Sequence, residues 1–549
     1  MDRRKSLATL IGKSRSQKNT VSNGNISLNQ YQGPWSFDQA ARLLRRSTFG
    51  PNKEMIQEAV NLGFIGTINK LFEEQALPDP PVYFNYEIDP LVPLGETWID
   101  ALETPDIQGL PGARKTSMWA WQFEQMHKSG MSIREKMTLF WHNHFVVFNP
   151  GTGRRMYKYM THLRANALGN FRTLVEGITV DSAMLIYLNG NQNSRTGPNE
   201  NYARELLELF TIGKGPTAGP GDYTNYTEDD VVQIAKALTG WRHFRNTDIE
   251  DVIDKSESSF LSSRHETADK QLSHRFDNIV ITNEEENEYK RVIDIILSKD
   301  EVARYISRKL VRWFVHSDIT QEVETNIVEP MAQMILQDNY EIKRAVQALL
   351  SSEYFFEESI RGCMITNPIE HFIKVIGTFN LEMPEDLETK YLIYRFFQIQ
   401  TEEHQMGVFW APSVAGWPFL YQAPQYDKLW INAVSLPRRQ DIANRFIDGF
   451  NRNGVRLEID ELAYLNSISD PYDINIIINE TAALMFSLPL SDEQLTALKE
   501  VVIPGLPDYE WTIEYGEYAG GDLSLEDSIK RKMKALLKTM LNMPEFYLH

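Results

Sequence analysis

The chain has 549 residues, 42% of them apolar, and carries 75 Asp and Glu against 56 Lys and Arg, for a formal charge of −19. That apolar share supports a core of ordinary size and excludes a collagen-like, wholly disordered or disulfide-stapled chain. No apolar run approaches the roughly 18 residues of a membrane-spanning helix, and the acidic balance argues against a general nucleic-acid binder.

In chain order, residues 1–34 are rich in Ser, Asn, Gln and Lys, the composition of a flexible polar arm. The arm begins Met1-Asp2-Arg3-Arg4-Lys5-Ser6-Leu7, like a twin-arginine export signal. The apolar stretch after it, Leu7 to Gly12, is too short for a complete signal. Two readings stay open: a basic arm of a cytoplasmic protein, or a degenerate signal of a periplasmic or exported one. The single cysteine, Cys363, fits a cytosolic protein and, almost as well, an exported bacterial one.

Helical patterning runs from Trp35 to about Gln75, followed by a proline-rich excursion from Pro78 to Pro111. Ser132-Ile133-Arg134-Glu135 reads as a capping box, and Thr227-Glu228-Asp229-Asp230 as a similar helix start closed by Gly240. Val302, Ile306, Leu310 and Trp313 share one face of a helix from Glu301. The segments 339–356, 367–380, 437–450, 476–487 and 525–542 also read as helices, whereas 245–282 and 407–430 are irregular. The expected fold is mainly α, a large multi-helix array with long irregular loops. The arm at 1–34 precedes a helical domain at 35–450 and a helical C-terminal extension at 451–549, expected to pack on the main body.

The densest chemical signal is Phe140-Trp141-His142-Asn143-His144-Phe145. Neutral histidines are the commonest metal ligands. At i and i+2 they diverge on a helix but converge on extended chain. Since Phe145-Val146-Val147-Phe148 favours extended structure, the pair is expected to straddle a helix end and to bind a divalent metal ion together with Glu205. The bland alternative is one core histidine and one bonded to a backbone carbonyl.

A second signal is Asn199-Glu200-Asn201-Tyr202-Ala203-Arg204-Glu205, continuing to Phe210, with Glu200, Arg204 and Glu208 at i, i+4 and i+8. Its carboxylates suit metal binding or proton transfer, or a solvated ion-pair ladder. His265-Glu266, with Lys270, places a titratable pair in an irregular stretch. Arg304, Arg308 and Arg312 stack on one helix face and need acidic partners or an anionic ligand, which Arg154 and Arg155 are placed to share. Trp417 lies in Pro412-Ser413-Val414-Ala415-Gly416-Trp417-Pro418, where flat aromatics serve for stacking on sugars or for packing.

Taken together, these motifs resemble a large bacterial family catalogued as domain of unknown function 1800. The matching pieces, in the family's order, are Leu43-Leu44-Arg45-Arg46 with Phe49-Gly50, the His142–His144 motif, the Asn199–Leu206 motif through Gly213, Tyr226–Val231 through Leu238-Thr239-Gly240-Trp241, Arg308-Lys309-Leu310, and Pro412–Pro418. The resemblance covers about 35–450 and departs at His265-Glu266, where His-Asp is commoner. It implies a mostly helical bacterial protein, frequent export, and frequent gene pairing with a second family resembling sulfatase- or phosphatase-fold proteins; it supplies no activity.

Two functional expectations follow. The first is a metal-dependent hydrolase: His142, His144 and Glu205 hold the metal, Glu200 or His265 moves protons, and Arg204, Arg304, Arg308, Arg312 and Trp417 hold an anionic substrate such as an acidic glycan. The second is a non-catalytic partner or scaffold, working with an exported sulfatase- or phosphatase-like protein, in which the same motifs form a buried polar network.

Overall fold

The computed structural model describes residues 26–85, 89–102, 107–243 and 256–549. Over these residues the chain is mostly helical, and its strands form four two-stranded ribbons. One hydrophobic core runs from Ala40 near the start to Tyr547 near the end. No helix among the described residues is long and apolar enough to cross a membrane.

The helices follow their apolar spacing. The Asp300–Phe314 helix buries Val302, Ile306, Leu310 and Trp313 on one face and leaves its arginines on the other. The Glu228–Ala237 helix opens with a capping box between Thr227 and Asp230. Ser132 does not build the expected box. Its hydroxyl accepts from the Arg134 amide, while Glu135 turns inward to Arg164 at 2.7 Å. A buried guanidinium is a stronger partner for that carboxylate than a helix-end amide. The helix expected over 339–356 is shorter, Lys343–Leu350; Tyr340, at φ 69°, breaks it from the preceding turn.

The N-terminal arm falls mainly on residues 1–25, outside the described residues. From Ser27 to Tyr31 the chain is bound rather than free. It lies along residues 351–354, with Tyr31 stacked on Phe356 at 4.2 Å. Burying one aromatic ring against another anchors a segment whose composition alone reads as flexible.

The C-terminal segment is tied to the rest at several points. Leu548 pairs with Ile365, Thr366 donates to the Tyr547 carbonyl, and Lys374 donates to the Phe546 carbonyl at 2.8 Å. Arg45 donates to the carbonyls of Ala483 and Leu484, at the end of the Ile474–Met485 helix. Its neighbour Arg46 does the same for Trp313 and Phe314, at the end of the Asp300–Phe314 helix. Each arginine thus satisfies last-turn carbonyls and meets the negative end of a helix dipole. The Leu-Leu-Arg-Arg motif is a joint between three helices.

Candidate functional site

The Arg134–His144 helix sits in the core, with every residue from Glu135 to His144 buried. It runs through His144 and does not end between the two histidines, so the rings point to different sides. His142 accepts from the Phe409 amide at Nε2 (3.0 Å), which leaves the proton on Nδ1 to donate to Tyr159 Oη at 3.3 Å. Tyr159 passes the chain on to the Phe145 carbonyl at 2.5 Å. Burial pulls the His142 pKa down to about 3, so the ring is neutral.

Asn143 holds the same loop eight residues further on. Its side-chain oxygen accepts from the Trp417 amide at 2.7 Å. Gly416, at φ +91°, brings the loop so close that a Cβ there would lie 2.5 Å from the Asn143 carbonyl oxygen. His144 serves other segments. Its Nε2 donates to the Phe210 carbonyl at 2.9 Å, and its Nδ1 accepts from Lys309 Nζ at 3.0 Å. Three consecutive residues therefore bind segments distant in sequence: His142 and Asn143 hold the 407–417 loop, and His144 holds the chain at Phe210 and Lys309.

The segment met by His144 is itself unusual. After Asn201–Glu205 the helix widens into a π turn over Leu206–Thr211. A π turn displaces backbone carbonyls from their usual α-helical partners. Here Tyr305 Oη donates to the Leu209 carbonyl at 3.0 Å, Lys309 to the same carbonyl at 3.0 Å, and His144 to Phe210. Burial, then the nearby Arg312 charge, pulls Lys309 down to about 7. The motifs around His144, Leu206 and Lys309 thus meet at one place, which spacing within any one of them does not reveal.

Along the same helix, Arg204 lies between Glu228 at 2.8 Å and Glu200 at 3.2 Å, and its hydrogen bond to Glu228 holds its pKa above the ordinary value. Glu208 accepts from Tyr226 Oη at 2.9 Å. Glu205 makes no side-chain hydrogen bond among the described residues. Burial, then the neighbouring Glu208 charge, pushes its pKa up to about 7.

The expected metal set is not assembled. All four ring nitrogens of His142 and His144 are taken by protein partners, and Glu205 belongs to neither arrangement. Among the described residues, no group of three or more His, Cys, Asp and Glu side chains is placed to hold a metal ion. The cause is the helix continuing to His144, against the expectation of extended chain.

His265, expected to move protons on a substrate, is 1% exposed and bonded on both nitrogens, to Glu288 at 3.0 Å and to the Thr239 carbonyl at 2.9 Å. Lys270 completes a buried triad, 2.5 Å from Glu288. Burial lowers the His265 pKa, but the hydrogen bonds to Glu288 and Thr239 outweigh it and leave it raised. The triad fastens the irregular stretch, of which 256–282 are described and 245–255 lie outside the described residues, to the Glu288–Leu297 helix at His265 and Lys270. Glu288 escapes sequence reading because no local spacing links it to His265.

Among the arginines, Arg308 pairs with Glu301 and Glu324, both at 2.6 Å, and Arg304 with Glu329 at 2.7 Å. Arg312 bonds the Ser317 carbonyl and lies over the Tyr426 ring. Arg155 bonds the Pro150 carbonyl, Ser182 and His243, and Arg154 the carbonyls of Ile99 and Ala101. Trp417 is fully buried, with its ring 5.7 Å from that of His142, so it is an anchor and not a stacking platform.

A family model described as "Protein of unknown function (DUF1800)" matches residues 42–548, and the chain belongs to that family. The match continues well past residue 450. No curated protein and no solved structure gives a significant match.

Proposed function

We propose, taking the chain as a member of the DUF1800 family, that it works as a non-catalytic partner or scaffold whose His, Asn, Arg and Glu motifs hold long loops in shape for another protein to bind. The observation that carries this reading is that His142, Asn143 and His144 are all committed to distant parts of the chain, the first two to the 407–417 loop and the third to Phe210 and Lys309. Buried polar networks of this kind, fully satisfied, favour one arrangement of the chain.

The loop they fix supports the same reading. Phe409 has φ 65°, a conformation rare for a bulky residue, and its amide is held by His142. The turn from Gly407 to Trp410 buries Phe409 and leaves Trp410 36% exposed, against Phe148 at 41%, with ring centroids 4.9 Å apart. Exposed aromatic pairs on an imposed loop suit a protein interface. A co-encoded sulfatase- or phosphatase-like protein, implied by the family resemblance, is the proposed partner. If that partner carries the export signal, this chain leaves the cytoplasm folded in complex with it.

The test has two arms. Elemental mass spectrometry of the protein beside a His142→Ala/His144→Ala variant should find no stoichiometric metal in either. Co-expression with the gene neighbour should capture a complex that Phe148→Ala/Trp410→Ala weakens. Near-stoichiometric metal lost in the histidine variant, or no complex, would set the reading aside.

One observation favours a hydrolase of an anionic substrate instead. Glu205 is half-buried and makes no side-chain hydrogen bond among the described residues, and burial pushes its carboxyl up to about 7, a range that suits a general acid or base. Turnover of an acidic glycan abolished by Glu205→Gln would move the hydrolase reading to first place.

A further inference from the structure

The residues that expectation assigned to substrate binding are mostly committed to internal ion pairs, yet one of them, Arg304, also lines an open cleft of about 400 Å³. The cleft lies where the segment after the π turn (Ile212, Thr224, Asn225) faces the start of the Asp300–Phe314 helix (Ser298, Lys299, Asp300, Glu301, Arg304), with Arg275 at its side. Its size falls within the roughly 300–1,000 Å³ of small-molecule sites.

The lining fixes the chemistry. Three cations, Arg275 from one segment and Lys299 and Arg304 from the start of one helix, face two carboxylates, Asp300 and Glu301. Asp222 takes Nε and Nη2 of Arg275, Asp277 takes Nζ of Lys299 at 2.5 Å, and Glu329 takes Nε of Arg304. Nη1 of Arg275 and both Nη nitrogens of Arg304 make no hydrogen bond among the described residues, and Nη1 of Arg304 stands 3.9 Å from Glu301. The Asp300 carboxylate likewise has no hydrogen-bond or ion-pair partner among them.

The cleft therefore offers charged donors for an acid group beside a free acceptor for hydroxyls. Ile212 is the one apolar residue among its lining and no aromatic ring is there, so a lipid chain or a nucleobase finds no matching wall. Inorganic phosphate alone leaves most of the volume unfilled.

We propose that this cleft binds a small acidic sugar: an acid group on the unbonded guanidinium nitrogens of Arg275 and Arg304, and ring hydroxyls on Asp300 and its polar neighbours. The shared chemistry is one negative group on a hydroxylated ring, supplied by a uronic acid or by a sugar phosphate. The inference stands independently of the partner reading.

Isothermal titration calorimetry of the full chain with trigalacturonate, glucose 6-phosphate, maltotriose and inorganic phosphate tests it. The expected result is that trigalacturonate or glucose 6-phosphate binds at least tenfold more tightly than maltotriose and phosphate, the better of the two naming the source of the acid group. Affinity should fall at least tenfold in Arg275→Gln and in Arg304→Gln, and it should weaken as salt is raised. Asp300→Asn, which breaks no ion pair in the fold, should weaken binding with the thermal transition unchanged. Equal binding of maltotriose, dominance of phosphate, no binding of either acidic sugar, or variants that bind like the wild type would each overturn the proposal.

Discussion

Lys309 Nζ lies 3.0 Å from His144 Nδ1 and 3.0 Å from the Leu209 carbonyl oxygen, with no carboxylate within ion-pair distance among the described residues. A deeply set ammonium with only neutral acceptors favours its uncharged form, which accounts for its depression to about 7. The unfolded chain keeps the ordinary lysine value, near 10.5. Between pH 7 and 10.5 the unfolded state therefore binds more protons, and stability attributable to this group rises with pH. Denaturant unfolding from pH 7 to 9 should show the wild type gaining on a Lys309→Met variant. A constant gap between the two curves would refute the assignment.

Glu205 has the opposite sign. Its folded pKa, pushed up to about 7, lies above the ordinary carboxyl value of 4.5. Between those two values the folded state binds more protons, so its contribution to stability falls as pH rises through that window. Glu205→Gln should be more stable than the wild type at pH 8 and no more stable at pH 4, as read by thermal unfolding at the two pH values.

His144→Ala removes the partner of two buried groups, the Phe210 carbonyl and the Lys309 amine, and leaves a cavity. The expected loss is about 2–4 kcal/mol. His144→Gln, able to donate to one and accept from the other, should recover part of it. Chemical denaturation measures both.

Glu288→Gln leaves Lys270 and His265 buried without their counter-charge. Removing one member of such an arrangement costs about 3–5 kcal/mol. The same variant should expose the stretch around His265 to protease, with cleavage mapped by mass spectrometry; resistance equal to the wild type would count against the triad as a fastening.

Gly416→Ala forces a side chain into a left-handed position and against the Asn143 backbone. A loss of at least about 1–3 kcal/mol is expected. The fluorescence of buried Trp417, next along the chain, should report the displacement.

The helical class, several helix spans and the capping box at Thr227 were legible because each depends on neighbours three or four residues apart. The same locality misled the reading of His142 and His144. The β-rich residues after them suggested extended chain, but Phe145 only caps the helix, which runs through His144. The partners that decide what these histidines do are remote: Phe409 lies 267 positions from His142, and Lys309 165 from His144. Glu288 was hidden from His265 for the same reason. The π turn was invisible because Leu206–Thr211 has an ordinary helical composition and the carbonyls it displaces are met by side chains from elsewhere. The ion pairs of Arg304 and Arg308, by contrast, were among the alternatives that stacked guanidiniums require.

The joint at the end of the Arg134–His144 helix has a temporal consequence. Two of its bonds reach Phe409 and Trp417, so they cannot form on a growing chain until about three-quarters of it has been synthesised. Until then the Asn143 side chain and the Nε2 atom of His142 must stay hydrated or find substitutes. Contacts across such separations carry a large loop-closure entropy and form late. The early helices should accordingly exist first as a loose assembly, and arrival of the 407–417 segment should be the event that locks them.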